Sequence, residues 1–210
     1  MNNNFAPKKV LLLGNSLLLG MFEKYGMCAT DPENDYAYHL SRRLREAQPD
    51  CQISKLRISA FEACESVEDF ENWYENKALP YFDPELEFIS LQFLDNVSNE
   101  KRQQTLRTSL PALLQRMRER CPRARIVWTY GWYMQSAIFD FALATAQEFG
   151  LETIDITAAH TKENESYSGQ ISQNAEGEPI TVDDEWITHP SNSGMRAIAD
   201  IMIAHIFGEG

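Results

Sequence analysis

Ser16 lies in "LLLGNSLLLG", where Asn15 and Ser16 interrupt two apolar runs. A serine hydroxyl exposed at such a break becomes a nucleophile when a nearby base can take its proton. The chain offers four histidines as that base. His39 and His205 fall in amphipathic helical stretches, where a histidine ordinarily belongs to the surface or the core. His160 follows an apolar strand pattern, within reach of a ligand. His189 differs: it stands in "WITHPSNSGM" between a long polar loop and the last periodic segment, and Pro190 biases it toward an extended backbone suited to a loop-borne base. Each of the two residues alone also has a plainer description. "GNS" is equally an ordinary βα turn, and a histidine before proline is equally a turn residue. A phosphate loop is disfavoured, because neither GxGxxG nor GxxxxGK[ST] spacing is present.

The elements that must position Ser16 and His189 can be read from periodicity. Val10 to Leu13 is a continuous apolar run closed by Gly14, the pattern of a strand buried on both faces of a parallel sheet. Helical spacing follows over about Asp35 to Ala47, with a stop at Pro49-Asp50. Gln52 to Ile58 reads as a second strand, and Val67, Phe70, Trp73 and Tyr74 mark a helix. "EFISLQF" is a third strand. Leu106, Leu110, Leu113, Leu114 and Met117 mark a long helix that Pro111 is expected to kink or split. "ARIVWTY", a helix over Ala137 to Phe149, and "LETIDI" come next. Thr157 to Asp184 is polar and unpatterned, a length of loop that usually signals function or mobility. Met195, Ile198, Ala199, Met202 and Ile206 define a last helix, capped by Ser191 or Ser193.

Five strand-then-helix units call for an α/β fold: a three-layer α/β/α sandwich with a five-stranded parallel sheet, flavodoxin-like, as a single domain over residues 1–210. Ligands of such sheets bind at the carboxyl ends of the strands, near the reversal of strand order. Ser16 falls at that edge, before an apolar segment that can begin a helix, and its own N–H can point at an anion.

Composition narrows the function classes. With 31 acidic and 19 basic residues the net charge is -12, which repels nucleic acid and anionic lipid, so neither is an expected partner. No apolar run reaches the ~18 residues of a membrane span. Cys28, Cys51, Cys64 and Cys121 are irregularly spaced without a CxxC pair, fitting neither a zinc site nor a disulfide framework, and are read as buried thiols. The amino-terminal residues carry no basic flank or signal-like run, which leads to a cytoplasmic expectation. Nothing in the sequence encodes an oligomeric state.

Taken together, "LLLGNSLLLG" near the amino terminus and "THPSNSGM" near the carboxyl terminus resemble the SGNH (GDSL-type) hydrolases. In that family the serine follows the first strand and the histidine precedes the last helix. A bacterial branch with a GNS first block, a "GMAAS...KDY" segment and an HPxDxGM last block is the nearest in pattern. Its counterparts here are "GMCATDPENDYAYHL" and "HPSNSGM". The resemblance implies an esterase that needs no cofactor or metal and acts on a small-molecule or carbohydrate ester. Ser16 would be the nucleophile and His189 the general base. The oxyanion would be held by the Ser16 N–H, a backbone N–H at Ala60 or Ser59, and the Asn96 side chain.

Three positions depart from the family pattern. Asn15 replaces the usual Asp, Leu94 replaces the glycine two residues before Asn96, and Trp186 stands where the triad acid is expected. The group orienting His189 is then a backbone carbonyl, making a Ser-His dyad, because a strand-like "EWITHP" would carry nearby carboxylates away from the ring. Asp184 is the next candidate, ahead of Asp183, Glu185 and Glu62. Trp132 and Tyr133, just after the fourth strand, are candidate pocket residues. Two other readings compete: an SGNH-fold binding module with weakened turnover, and a flavodoxin-like flavin or nucleotide binder.

Overall fold

Strand β1 (Lys9–Gly14) is an interior strand of the sheet, with Val10 to Leu13 all but sealed from solvent. Successive side chains of a strand point to opposite faces, so the run feeds two cores. Leu11 and Leu13 join one, Val10 and Leu12 the other. The computed structural model describes residues 5–20, 24–133, 136–174 and 176–208.

Around β1 lie β2 (Gln52–Arg57), β3 (Phe88–Gln92), β4 (Arg125–Tyr130) and β5 (Glu152–Asp155), all parallel, in the order β2-β1-β3-β4-β5. On one face pack α1 (Tyr36–Ala47) and α6 (Asn192–Phe207), through Tyr36, Leu40 and Leu44 against Met195, Ile198 and Met202. The other face is covered by α2 (Ser59–Glu62), α3 (Val67–Trp73), α4 (Glu100–Arg120) and α5 (Ser136–Glu148). This is the three-layer α/β/α sandwich expected from the sequence. The order reverses between β1 and β3, so the chain segments leaving those two strands open a crevice at the carboxyl edge. Ser16 leaves β1 there, and Asn96 follows β3.

Three local readings change. Pro111 does not split α4, which runs unbroken for 21 residues. The bond that proline removes belongs to the carbonyl of Arg107, an exposed residue, where water can replace it. The apolar segment after Ser16 makes one turn, with Leu18 N–H and Leu19 N–H both donating to the Asn15 carbonyl, and not a helix. The loop after β5 contains an antiparallel hairpin, β6 (Ile171–Gln173) with β7 (Pro179–Thr181). Three-residue strands are too short to show a period of two, which is why the pattern was invisible.

Gly14 ends β1 for a packing reason. A Cβ there would lie 2.6 Å from Leu18 Cβ and 3.1 Å from Gln92 Oε1, so the tight turn carrying Ser16 closes only over a hydrogen. Gly14→Ala is therefore expected to lower stability by roughly 1–3 kcal/mol, measured as a shift in urea midpoint with an unchanged slope.

Candidate active site

The turn after β1 presents Ser16 half-buried, and its Oγ lies 3.1 Å from His189 Nε2. The other ring nitrogen, Nδ1, is 3.1 Å from the Trp186 carbonyl oxygen. A carbonyl can only accept, so Nδ1 carries the proton and Nε2 is left as the acceptor for the Ser16 hydroxyl. Burial of His189 disfavours its charged form and pulls its pKa below the ordinary 6.5, while the bond to Trp186 opposes that shift. The neutral imidazole thus turns an acceptor nitrogen to the Ser16 hydroxyl.

The segment delivering Trp186 is a turn and not the strand expected of "EWITHP". Trp186 N–H and Ile187 N–H both donate to the Asp183 carbonyl, and His189 N–H donates to the Trp186 carbonyl. That folding brings the Trp186 oxygen under the ring of a residue three positions on. Ser166 Oγ (3.1 Å) and the Cys28 thiol (3.6 Å) donate to the same oxygen. Burial pushes the Cys28 pKa up to about 11, so it stays a thiol. Asp184 is exposed, and the Nδ1 position considered for it is occupied by the carbonyl. Glu62 is committed elsewhere, as described next.

Asn96, reached from β3, donates from Nδ2 to Glu62 Oε2 at 2.7 Å and keeps a second amide hydrogen for another acceptor. Glu62 is buried at the end of α2, and its Oε1 accepts from Leu94 N–H at 2.5 Å and Asn96 N–H at 3.5 Å. Asp95 lies beside it and accepts from Asn15 Nδ2 at 2.6 Å and Gln92 Nε2 at 2.5 Å. Burial lifts both carboxyls above the usual carboxylate range, Glu62 further by the charge of Asp95. Ser59 and Ala60 open α2, where backbone N–H groups have no intrahelical acceptor. Neither the Ser16 nor the Ala60 N–H has an acceptor among the described residues. Among the described residues, these two N–H groups and the second hydrogen of the Asn96 amide are donors left for a further acceptor at this edge.

Trp132 and Tyr133 do not form an open pocket wall. Trp132 is buried, stacked on His160 with ring centroids 4.7 Å apart, and its N–H donates to the Thr188 carbonyl at 2.8 Å. The ring therefore braces the histidine loop. Tyr133 sets its edge against His189, centroids 5.6 Å apart, with its hydroxyl buried and its pKa pushed up to about 12 by desolvation. His160 Nε2 donates to Glu165 Oε1, 3.0 Å away, and its ring supports Trp132. His39 and His205 sit on α1 and α6 and take no part. Among the described residues no cluster of three His, Cys, Asp or Glu side chains could hold a metal ion, and the four cysteines are buried and unpaired.

The non-glycine residues with positive φ among the described residues are Cys28 (68°), Leu94 (101°) and Thr188 (81°). All border this site. Backbone held in such conformations costs ~1–3 kcal/mol per residue and persists where its surroundings enforce it. Leu94 keeps the backbone that a glycine would adopt freely, held by its N–H to Glu62. No sequence signal marks these positions, apart from Leu94 standing where the resemblance has glycine.

Solved structures share the fold over nearly the whole chain. A GDSL-like lipase from Parabacteroides merdae matches at a TM-score of 0.61 and 13% identity, covering 98% of each chain. The chain has the fold of GDSL-like lipases. An extracellular lipase from Streptomyces rimosus matches at 0.57 and 16%, over 94% of this chain and 99% of that one. A family two carbohydrate esterase from Clostridium thermocellum, in complex with cellohexaose, matches at 0.54 and 14%, over 96% of this chain and 64% of that one. No family model and no curated protein matches the sequence. No helix among the described residues is long and apolar enough to cross a membrane.

The geometry around Asn15 explains why the aspartate usual in the resemblance is absent. Its Nδ2 faces Asp95 at 2.6 Å and Glu62 at 3.5 Å, and its Oδ1 accepts from Leu17 N–H at 3.3 Å. An aspartate there would put a third carboxylate beside the buried Glu62 and the half-buried Asp95. Asn15→Asp is expected to cost roughly 3 kcal/mol or more at pH 8. The introduced carboxyl would have a raised folded-state pKa, so the loss should shrink as pH falls and the group takes up a proton. Urea melts at pH 8 and pH 5 check this; equal losses at both would contradict it.

Proposed function

We propose that the protein is a serine esterase acting by acyl transfer on a small or carbohydrate-linked ester. The observation that carries this reading is the 3.1 Å contact between Ser16 Oγ and a His189 Nε2 whose tautomer leaves it an acceptor. In the proposed reaction Ser16 Oγ bonds to the ester carbonyl carbon as its proton passes to Nε2. The tetrahedral oxyanion is held by the Ser16 N–H, the Ala60 N–H and the free hydrogen of the Asn96 amide. Collapse breaks the bond to the alkoxide, which takes the proton from Nε2. Water then repeats the sequence and releases the acid, with no cofactor or metal.

An open groove of about 730 Å³ reaches Ala60, lined by Leu19, Ser59, Ala60, Trp73, Lys77 and Tyr81 among others. It suits the larger part of an ester, and its aromatic and polar lining is compatible with a sugar. A small pocket bounded by Tyr25, Met27, Cys28 and Trp186 has about 20 Å³, room for one water and not for an acyl chain. The likeness to carbohydrate esterases supports the substrate class at the level of fold.

Fluorophosphonate labelling tests the reading directly. The parent should be labelled at Ser16 and should hydrolyse p-nitrophenyl acetate, and a folded Ser16→Ala should do neither. Full activity in that variant would sink the proposal. His189→Ala should lose nearly all turnover, whereas Asp183→Asn, Asp184→Asn and Glu185→Gln should stay within about tenfold of the parent, because the Trp186 carbonyl and not a carboxylate faces Nδ1. For comparison, losing a carboxylate from that position costs about ten-thousandfold where one is present. The acid limb of kcat/KM should have its midpoint below 6.5, since the base form of a histidine with lowered pKa persists to lower pH. A midpoint above 6.5 would argue against His189 as the base.

A further inference from the structure

Ser166 lies in the long polar stretch between β5 and α6 and is buried against the histidine segment. Its N–H donates to the His189 carbonyl at 2.8 Å, and its Oγ donates to the Trp186 carbonyl at 3.1 Å. The Trp186 oxygen is also the one that takes the Nδ1 proton of His189. One residue therefore holds both ends of the turn that carries the base and touches the atom that selects its tautomer. The neighbours of Ser166 extend the contact into a strap. The Asn164 carbonyl accepts from Ser191 N–H at 2.8 Å and from Ser191 Oγ at 3.0 Å, and Glu165 pairs with Pro190 in an antiparallel bridge. The Glu165 carboxylate is engaged by His160 and Lys162.

The turn needs such holding. Thr188 sits in the left-handed region at φ 81°, a conformation that a β-branched residue disfavours. A peptide carbonyl, unlike a side-chain carboxylate, cannot swivel to follow an imidazole, because its direction is fixed by the planar backbone that carries it. Whatever fixes that backbone fixes the hydrogen bond to Nδ1. Ser166 does so at Trp186 and His189, and Trp132 holds the Thr188 carbonyl between them at 2.8 Å. The Cys28 thiol also reaches the Trp186 oxygen, but at 3.6 Å and as a weaker donor than a hydroxyl.

We propose that Ser166 is the positioning residue of the His189 base, holding the Trp186 carbonyl against Nδ1 so that Nδ1 keeps the proton and Nε2 stays open to Ser16. The catalytic consequence rests on the esterase reading; the tautomer does not. Without the hydroxyl the strained turn relaxes, the carbonyl moves off Nδ1, and the proton is free to pass to Nε2, where it blocks acceptance from Ser16. Ser166 does not line the groove at Ala60, so the loss falls on turnover and not on substrate affinity.

Nitrogen-15 NMR of the histidine ring, joined to kinetics on p-nitrophenyl acetate, tests the assignment. The neutral ring of His189 in the parent should show one form, with Nδ1 protonated and Nε2 bare. Ser166→Ala should show both tautomers, with kcat lowered about tenfold or more and KM within about threefold. Ser166→Thr, which restores a hydroxyl, should recover the parent tautomer and most of kcat. Ser172→Ala is the control for stability: it removes another buried hydroxyl, one that donates to the Ala29 carbonyl, and should keep kcat within about twofold. A folded Ser166→Ala with the parent tautomer and parent kcat would overturn the proposal, as would an equal fall of kcat in Ser172→Ala. If Ser166→Ala does not fold, Ser166→Cys, of similar shape and with a weak donor, is read by the same criteria. If the parent hydrolyses no ester, the esterase reading fails, and the ring spectra alone decide whether Ser166 sets the tautomer.

Discussion

A carboxylate buried at Glu62 has to find its hydrogen-bond donors inside the protein, and it finds them in the turn that follows β3. Leu94 N–H and the Asn96 amide are drawn onto its two oxygens. That requirement sets the backbone of Leu94 at a positive φ, orients Asn96, and with Asp95 beside it demands a donor from the turn after β1. Asn15 is that donor. The amide side chains of Asn15 and Asn96 and the backbone of Leu94, on two separate turns, thus follow from one electrostatic constraint: buried negative charge must be met by hydrogen-bond donors.

The histidine is governed by a weaker interaction. A carbonyl dipole on Nδ1 selects the tautomer as well as a carboxylate would, but it stabilises a positive ring less, because it carries no net charge. The Trp186 oxygen is also shared with the His189 N–H, Ser166 and Cys28. Under the esterase reading this arrangement favours a neutral, well-aimed base over a strongly driven one. Burial of the ring acts in the same direction.

Strain is concentrated where these two requirements meet. Thr188 and Cys28 flank the contact between His189 and Trp186, and Leu94 flanks Asn96. Trp132 holds the Thr188 carbonyl and stacks on His160, so an aromatic wall outside the crevice holds the histidine loop in a conformation its own residues disfavour. The sheet supplies the rigidity that makes such strain tolerable, since both faces of β1 are packed.

The order of strands and helices was legible in the sequence because burial on both faces of a parallel sheet leaves continuous apolar runs, as in Val10 to Leu13, and because helices such as α1 and α6 carry one apolar stripe. Ser16 and His189 stood out for the same reason: polar residues placed where a strand ends or a helix begins have no packing role to hide behind. Tertiary structure decided the rest. The β6–β7 hairpin is too short to show a period, and Pro111 was accommodated because solvent stands in for its missing bond. Trp132 read as a pocket residue, yet its partners are Thr188 and His160, which only the fold brings to it. The Trp186 carbonyl has no sequence signature, since every residue has one. Glu62 meets Asn96 across 34 residues and Asp95 meets Asn15 across 80, distances over which composition and spacing carry no information about contact.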